Sequence, residues 1–240
     1  MGRRSSALES GRAALLATPG PEVRISTGSV AEEADVERAV AAAADGEGRL
    51  YGCVAAAGTG TFGTLIDADL AAWDGVLATN LTGTMLTIKH AARRMLDNGG
   101  SIVAISSIAG VLTHRWMTAY CVSKAGIEML VRNAADELGG VGIRVNAVRP
   151  GLVPTDLAAG LVNHPETNAD YLRQMPLGRL GTPEDIAEAV RFFIGPASGW
   201  VTGQVIASDG GHTLRRGPDL DALAGLVFKA TQREPFRHGA

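Results

Sequence analysis

The chain has 240 residues, 46% of them apolar and only 5% aromatic, which is enough to bury one sizeable core and predicts a single compact domain. Its formal net charge of -3, with both signs interspersed, excludes a basic footprint for nucleic acid or an anionic membrane, and no apolar run reaches the roughly 20 residues that span a bilayer. The two cysteines, Cys53 and Cys121, lack metal-ligand spacing, so neither a disulfide framework nor a metal site is expected, and a cytoplasmic protein acting on a small molecule is.

The first predicted element is a helix over residues 5–18, halted by Pro19-Gly20-Pro21, after which Val23, Ile25 and Val30 suggest a short strand and turn. A second helix follows over 33–45, where Val36, Ala39, Val40 and Ala43 form an apolar stripe opposite Glu37 and Arg38. The apolar run 50–58, ending in glycine, reads as a buried parallel strand. Residues 69–96 read as helix broken near Asn80 to Gly83, and Asp97-Asn98-Gly99-Gly100 ends it. A strand over 101–105, a long helix over 120–138 and a strand over 143–148 closed by Pro150-Gly151 come next. Residues 152–183 hold Pro154, Pro165, Pro176 and Pro183 with little periodicity and read as a loop or lid. Helix returns over 184–194 and a last short strand over 205–207; the chain from about 214 is polar and Arg-rich. Strands and helices in alternation favour an α/β fold with helices packed on a mostly parallel sheet, with one domain over 1–215 and a tail over 216–240.

Three groups suited to carbonyl chemistry converge in this layout. Tyr120 and Lys124 stand four residues apart and share a helix face, so the ammonium is expected to favour the phenolate and lower the tyrosine pKa. The strand ending in Ile105-Ser106-Ser107 delivers a hydroxyl at the carboxyl edge of the sheet, where parallel α/β proteins bind ligands. A lone Tyr-x-x-x-Lys pair is weak, but here it sits in an ordered set. Ser106-Ser107-Ile108-Ala109-Gly110, the run from Tyr120 to Gly126, the run from Gly142 to Gly151, and Val201-Thr202-Gly203-Gln204 before Asp209-Gly210-Gly211 together resemble the short-chain dehydrogenase/reductase family over roughly residues 5 to 215.

That resemblance implies a Rossmann-like, doubly wound parallel sheet in a three-layer α/β/α arrangement, truncated at its front, and an NAD(P)-dependent oxidoreductase interconverting a secondary alcohol and a ketone, with NADP favoured over NAD. It implies Tyr120 as proton donor or acceptor, Ser107 as holder of the substrate oxygen, Lys124 on the nicotinamide ribose, and Asn80 in a water relay to Lys124. Pro150, Gly151, Val153 and Thr155 match the family's Pro-Gly-x-Val-x-Thr cofactor pattern. Residues 108–119 and the 155–180 loop would shape the substrate pocket, and the helices around 75–96 and 120–138 would pack across subunits of a homodimer or homotetramer.

The front of the chain departs from the family. No Thr-Gly-x-x-x-Gly-x-Gly turn precedes Pro19, although backbone amides of such a turn would hold the pyrophosphate. The literal Gly-x-Gly-x-x-Gly at 58–63 follows a strand but has no acidic residue at the right distance; it falls instead on the family's Asn-Asn-Ala-Gly turn, here Ala55-Ala56-Ala57-Gly58 with Ala56 and Gly58 as cofactor contacts. Arg3 and Arg4 would meet the 2'-phosphate of NADP, and Ser29 and Val30 fall where the family contacts adenine. Met1 is accordingly expected to be internal to a product roughly 30 residues longer at the front. The alternative reading is a cofactor-binding-deficient remnant serving as an oligomerising or scaffold protein.

Overall fold

Each apolar run read as a strand pairs with the next. In the computed structural model, which describes residues 1–215, β1 (Gly52–Ala55), β2 (Gly100–Ile105), β3 (Ile143–Pro150) and β4 (Val205–Ser208) form a parallel sheet in the order β1-β2-β3-β4. Cys53 lies opposite Ile102, Val103 opposite Asn146 and Val148 opposite Ile206. The tail expected over 216–240 lies outside the described residues.

Strand periodicity divides the core into two layers. On one face Ile102, Ala104, Ile143, Val145 and Ala147 pack with Ile88 and Ala91 of α4 (Gly83–Arg93) and Ile127 and Val131 of α5 (Thr118–Leu138). On the other, Val103 and Val148 meet Phe193 of α8 (Pro183–Ile194). The helix–sheet–helix sandwich expected from the sequence is therefore present. Among the described residues no helix is long and apolar enough to cross a membrane.

The helix expected over 69–96 is three pieces. Asp69 accepts from the Ala72 amide at 2.9 Å and caps α3 (Leu70–Leu77), one π turn spans Ala78–Thr82, and α4 follows. The expected lid is also more ordered than its prolines suggested, containing the short α6 (Ala159–Val162) and α7 (Pro165–Gln174). Pro165 and Pro183 occupy the first helical position, where the missing N–H costs nothing, so they start helices rather than break them. Thr182 and Asp185 complete a reciprocal capping box at the start of α8.

The front of the chain corrects its reading most. α1 (Ser5–Leu16) buries no side chain, and Leu15 and Leu16 remain 64% and 51% exposed. The strand suggested by Val23 and Ile25 does not form; only Thr27 pairs, in an isolated parallel bridge with Gly2. Gly2 donates to the Ser26 carbonyl at 3.2 Å and Gly28 donates to Gly2 at 3.0 Å. A strand requires a neighbour that satisfies its backbone along its length, and this bridge does not supply one. Between the bridge and β1 lies a cavity of about 510 Å³ whose lining includes Met1, Val36, Val40, Cys53 and Thr87. α2 (Glu33–Ala43) closes this side, burying Val36 and packing on α4.

Candidate active site

The carboxyl ends of β1, β2 and β3 open into one cavity of about 1270 Å³, and Ser107, Tyr120 and Lys124 all line it. Ser107 follows β2 in extended conformation and caps a short turn, its Oγ accepting from the Ala109 amide at 3.2 Å. Tyr120 lies in the first turn of α5, and Lys124 one turn further along the same face.

The expected electrostatics are reversed. Burial raises the Tyr120 phenol above its ordinary value, while the hydrogen bond with the Ser107 hydroxyl acts in the opposite direction. Burial also pushes the Lys124 ammonium down to about 8. Lys124 Nζ donates to the Ile105 carbonyl at 2.8 Å and stands 5.6 Å from the centroid of the Tyr120 ring. The ammonium is turned toward a backbone oxygen rather than the phenolic oxygen, so desolvation governs both groups.

Asn80 explains the π turn. It is completely buried, its Oδ1 accepts from the Thr59 amide at 2.8 Å, and its Nδ2 donates to the Thr59 carbonyl and to Ser123 Oγ, both at 2.9 Å. A side chain from the α3–α4 junction thereby ties the loop after β1 to α5. That loop runs close to the catalytic face: a Cβ on Gly58 would stand 3.6 Å from Asn80 Oδ1 and 3.7 Å from Lys124 Nζ, and one on Gly60 would stand 3.5 Å from the Tyr120 ring. The Gly-x-Gly-x-x-Gly segment is thus a loop wrapped against Tyr120 and Lys124, with no helix until Leu70.

Ala56, Gly58, Pro150, Gly151, Val153 and Thr155 line the same cavity. Gly151 is there for space, since a Cβ would fall 2.8 Å from Asp209 Cα. Asp209 in turn holds the turn after β4 by accepting from the Gly211 and Thr213 amides, each at 2.9 Å. Arg3, Arg4, Ser29 and Val30 are not brought into this cavity. Arg4 lies 3.8 Å from Asp156 with both side chains exposed, Ser29 donates its amide to Asp35 at 2.9 Å, and Val30 packs where a Cβ on Gly83 would come within 2.7 Å of it.

One group escaped the sequence reading, and a second was covered there only as part of the 155–180 loop expected to shape the pocket. Glu128 on α5, 3% exposed, receives Arg149 Nε at 2.8 Å and Nη2 at 2.7 Å, together with the Ser106 hydroxyl at 2.9 Å. This buried fork ties α5 to the carboxyl ends of β2 and β3 directly behind the site; Arg149 lay inside the recognised Arg-Pro-Gly block, but nothing in spacing linked it to Glu128. The second group is His164, Thr167 and Tyr171, which also line the cavity.

A parallel α/β protein with a serine, a tyrosine and a lysine at the carboxyl edge of its sheet belongs to a class that comparison makes specific. A family model described as Enoyl-(Acyl carrier protein) reductase matches residues 4–213. The chain is 42% identical over 206 residues to 2-(S)-hydroxypropyl-CoM dehydrogenase 3 of Xanthobacter autotrophicus, covering 84% of this chain and 81% of that protein. A short-chain type dehydrogenase/reductase from Mycobacterium ulcerans has the same fold at a TM-score of 0.86 and 42% identity, over 95% of this chain and 84% of that one. A gluconate 5-dehydrogenase from Burkholderia cenocepacia, solved in complex with NADP and tartrate, matches at a TM-score of 0.76 and 27% identity, over 79% of this chain and 74% of that one. The chain belongs to the short-chain dehydrogenase/reductase family and is an oxidoreductase.

Proposed function

We propose that the protein interconverts a secondary alcohol and a ketone by hydride transfer with a nicotinamide dinucleotide, NADP in preference to NAD, using Tyr120 as general acid and base. The observation that carries this reading is the convergence of Ser107, Tyr120 and Lys124 on one cavity at the carboxyl edge of the sheet.

The residues present fit the nicotinamide end of such a cofactor. Gly58 leaves open the space beside Asn80 and Lys124, and Gly151 lets β3 approach the turn after β4 without a side chain between them. Tyr120 and Lys124 would hold the nicotinamide ribose, and Ala56, Gly58, Pro150, Gly151, Val153 and Thr155 the wall around it. Ser29 and Val30 would meet adenine, and Arg3 and Arg4 the 2'-phosphate. No glycine-rich turn opening a helix stands at the pyrophosphate position among the described residues. When bound, the cofactor would supply or accept the hydride.

The proton belongs to the protein. In the reductive direction Ser107 donates a hydrogen bond to the carbonyl oxygen, Tyr120 Oη passes its proton to that oxygen as it becomes a hydroxyl, and the tyrosine is reprotonated from solvent. In the oxidative direction the Tyr120 phenolate takes the hydroxyl proton. A charged Lys124 favours that phenolate once it is oriented toward it, and Asn80 keeps the Thr59 loop and α5 in register around both groups. We assign a homodimer or homotetramer assembled through α4 and α5, supported by the exposed Met85, Val122 and Met129 on those helices.

The test is a fluorescence titration with NADPH and NADH followed by turnover of a panel of ketones and secondary alcohols. NADPH binding in the micromolar range with turnover of at least one carbonyl is expected. Absence of any response to millimolar cofactor would contradict the proposal and favour the scaffold reading.

A further inference from the structure

The cavity lining is largely apolar, and beyond Ser107, Tyr120 and Lys124 three of its hydrogen-bonding groups share one helix. Phe62, Leu157 and Leu161 are among the apolar lining, whereas His164, Thr167 and Tyr171 stand at i, i+3 and i+7 along α7 and its cap. That spacing puts them on one helix face. The opposite face carries Glu166, Asp170 and Arg173, all exposed, with Arg173 donating to Asp170 at 2.8 Å. A helix that turns a phenol, a hydroxyl and an imidazole toward a largely apolar cavity is presenting them to something that enters it.

The local bonding defines what that something is. His164 Nδ1 accepts from the Thr167 amide at 3.3 Å and lies 3.0 Å from Thr167 Oγ1. An Nδ1 that accepts places the ring proton on Nε2, and a threonine hydroxyl that donates to it offers only lone pairs outward. Tyr171 is fixed in place by its ring, edge-on to His212 at 5.4 Å and 6.3 Å from His114. Burial pushes its phenol up to about 12, so it stays a neutral donor and acceptor. The strip therefore offers both donors and acceptors, which a hydroxyl group matches in both senses, whereas a carboxylate can only accept and leaves the outward lone pairs of Thr167 without a donor. The two Lys and Arg side chains among the described lining residues are used elsewhere: Arg191 is paired with Glu188 at 2.7 Å, and Lys124, donating to the Ile105 carbonyl, belongs to the group around Tyr120.

We infer that the α7 face formed by His164, Thr167 and Tyr171 is the specificity-determining surface of the enzyme and selects a substrate whose tail carries a neutral hydroxyl, a hydroxylated ketone or polyol, over one with an apolar or anionic tail. The inference rests on the alcohol–ketone reading proposed above.

Matched methyl ketones test it. A series from butanone to heptanone is assayed against isosteres in which the terminal methyl is replaced by hydroxyl (hydroxyacetone for butanone), with levulinate as the anionic member. The hydroxylated isostere is expected to exceed its methyl partner about tenfold or more in kcat/KM at one chain length at least, through KM rather than kcat. That ratio is expected to collapse toward one in Thr167→Val and Tyr171→Phe, each variant being its own control because only the ratio is read. Preference for the methyl partner at every length, a higher kcat/KM for levulinate than for the hydroxylated ketones, or ratios unchanged in both variants would overturn the inference. If no carbonyl is turned over, the alcohol–ketone reading fails on its own, and saturation-transfer NMR on the same pairs decides this one: preferential binding of the hydroxylated members supports it, and equal or absent binding overturns it.

Discussion

Replacing Arg149 by methionine would leave the Glu128 carboxylate buried with the Ser106 hydroxyl as its remaining side-chain donor. In the native protein that carboxylate receives both arms of the guanidinium, at 2.8 and 2.7 Å, while Arg149 itself is largely buried. Methionine fills much of the arginine stem's volume, so little of the loss is packing. Breaking a buried ion pair by removing one partner costs about 3–5 kcal/mol, which for a domain of this size lowers Tm by roughly 10 °C. Removing both charges is different: Glu128→Leu with Arg149→Met leaves no orphaned ion, and Ser106 keeps its 3.3 Å contact with the Lys124 carbonyl. The double variant should return to within about 1–2 kcal/mol of the native protein, a strongly non-additive cycle. Urea unfolding of the four proteins provides the measurement. A loss below about 1 kcal/mol for Arg149→Met, or additive effects of the two substitutions, would refute the reasoning that this fork anchors α5 to β2 and β3.

Lys124 gives a stability prediction whose sign depends on pH. Its native pKa is depressed from 10.5 to about 8 by burial, so below pH 8 both folded and unfolded chains hold the proton and the desolvation penalty is fully present. Between 8 and 10.5 the unfolded chain holds more protons, and the native protein gains stability as pH rises. The stability of Lys124→Met relative to the native protein should therefore fall by roughly 2–3 kcal/mol from pH 7 to pH 10, read by chemical denaturation; a pH-independent difference would contradict the assigned burial. Asn80→Ala deletes the bonds to Thr59 and Ser123 and should cost about 2–4 kcal/mol, with faster amide exchange at Thr59; exchange at the native rate would show that another group holds the loop. Gly151→Ala would force its Cβ against Asp209 Cα and should cost about 1–3 kcal/mol in urea unfolding, whereas a neutral result would mean that the turn after β4 can yield.

The centre of the molecule was legible because its signals are local. The apolar runs at β2 and β3 and the long periodic segment of α5 each declare their own structure, and Ser107, Tyr120 and Lys124 sit at element ends whose direction a parallel sheet fixes. Asn80 was readable as a helix break, but the π turn and its bonds to Thr59 and Ser123 depend on residues 21 and 43 positions away. The Glu128–Arg149 fork was illegible for the same reason, its partners lying 21 positions apart on different elements. Prolines misled where they begin helices: Pro165 and Pro183 made α7 and the approach to α8 look like loop. The strand expected near Val23 failed because its alternation implies a pairing partner along its length, and only Gly2 meets it, at Thr27. The tyrosine pKa was misjudged because sequence spacing gives the Tyr120–Lys124 proximity but not the turn of the ammonium toward Ile105 or the depth of burial.

The most direct test of Tyr120 as the group that moves the proton is Tyr120→Phe, assayed side by side for NADPH affinity by fluorescence and for ketone reduction in a single turnover. The phenyl ring keeps the packing and removes the acid together with the hydroxyl's contacts to Ser107 and the ribose, for which Lys124 remains, so cofactor affinity should stay within a few-fold of native while the reduction rate falls about 100-fold or more. Reduction at the native rate with undiminished cofactor affinity would contradict the assigned role and require another proton donor in the cavity.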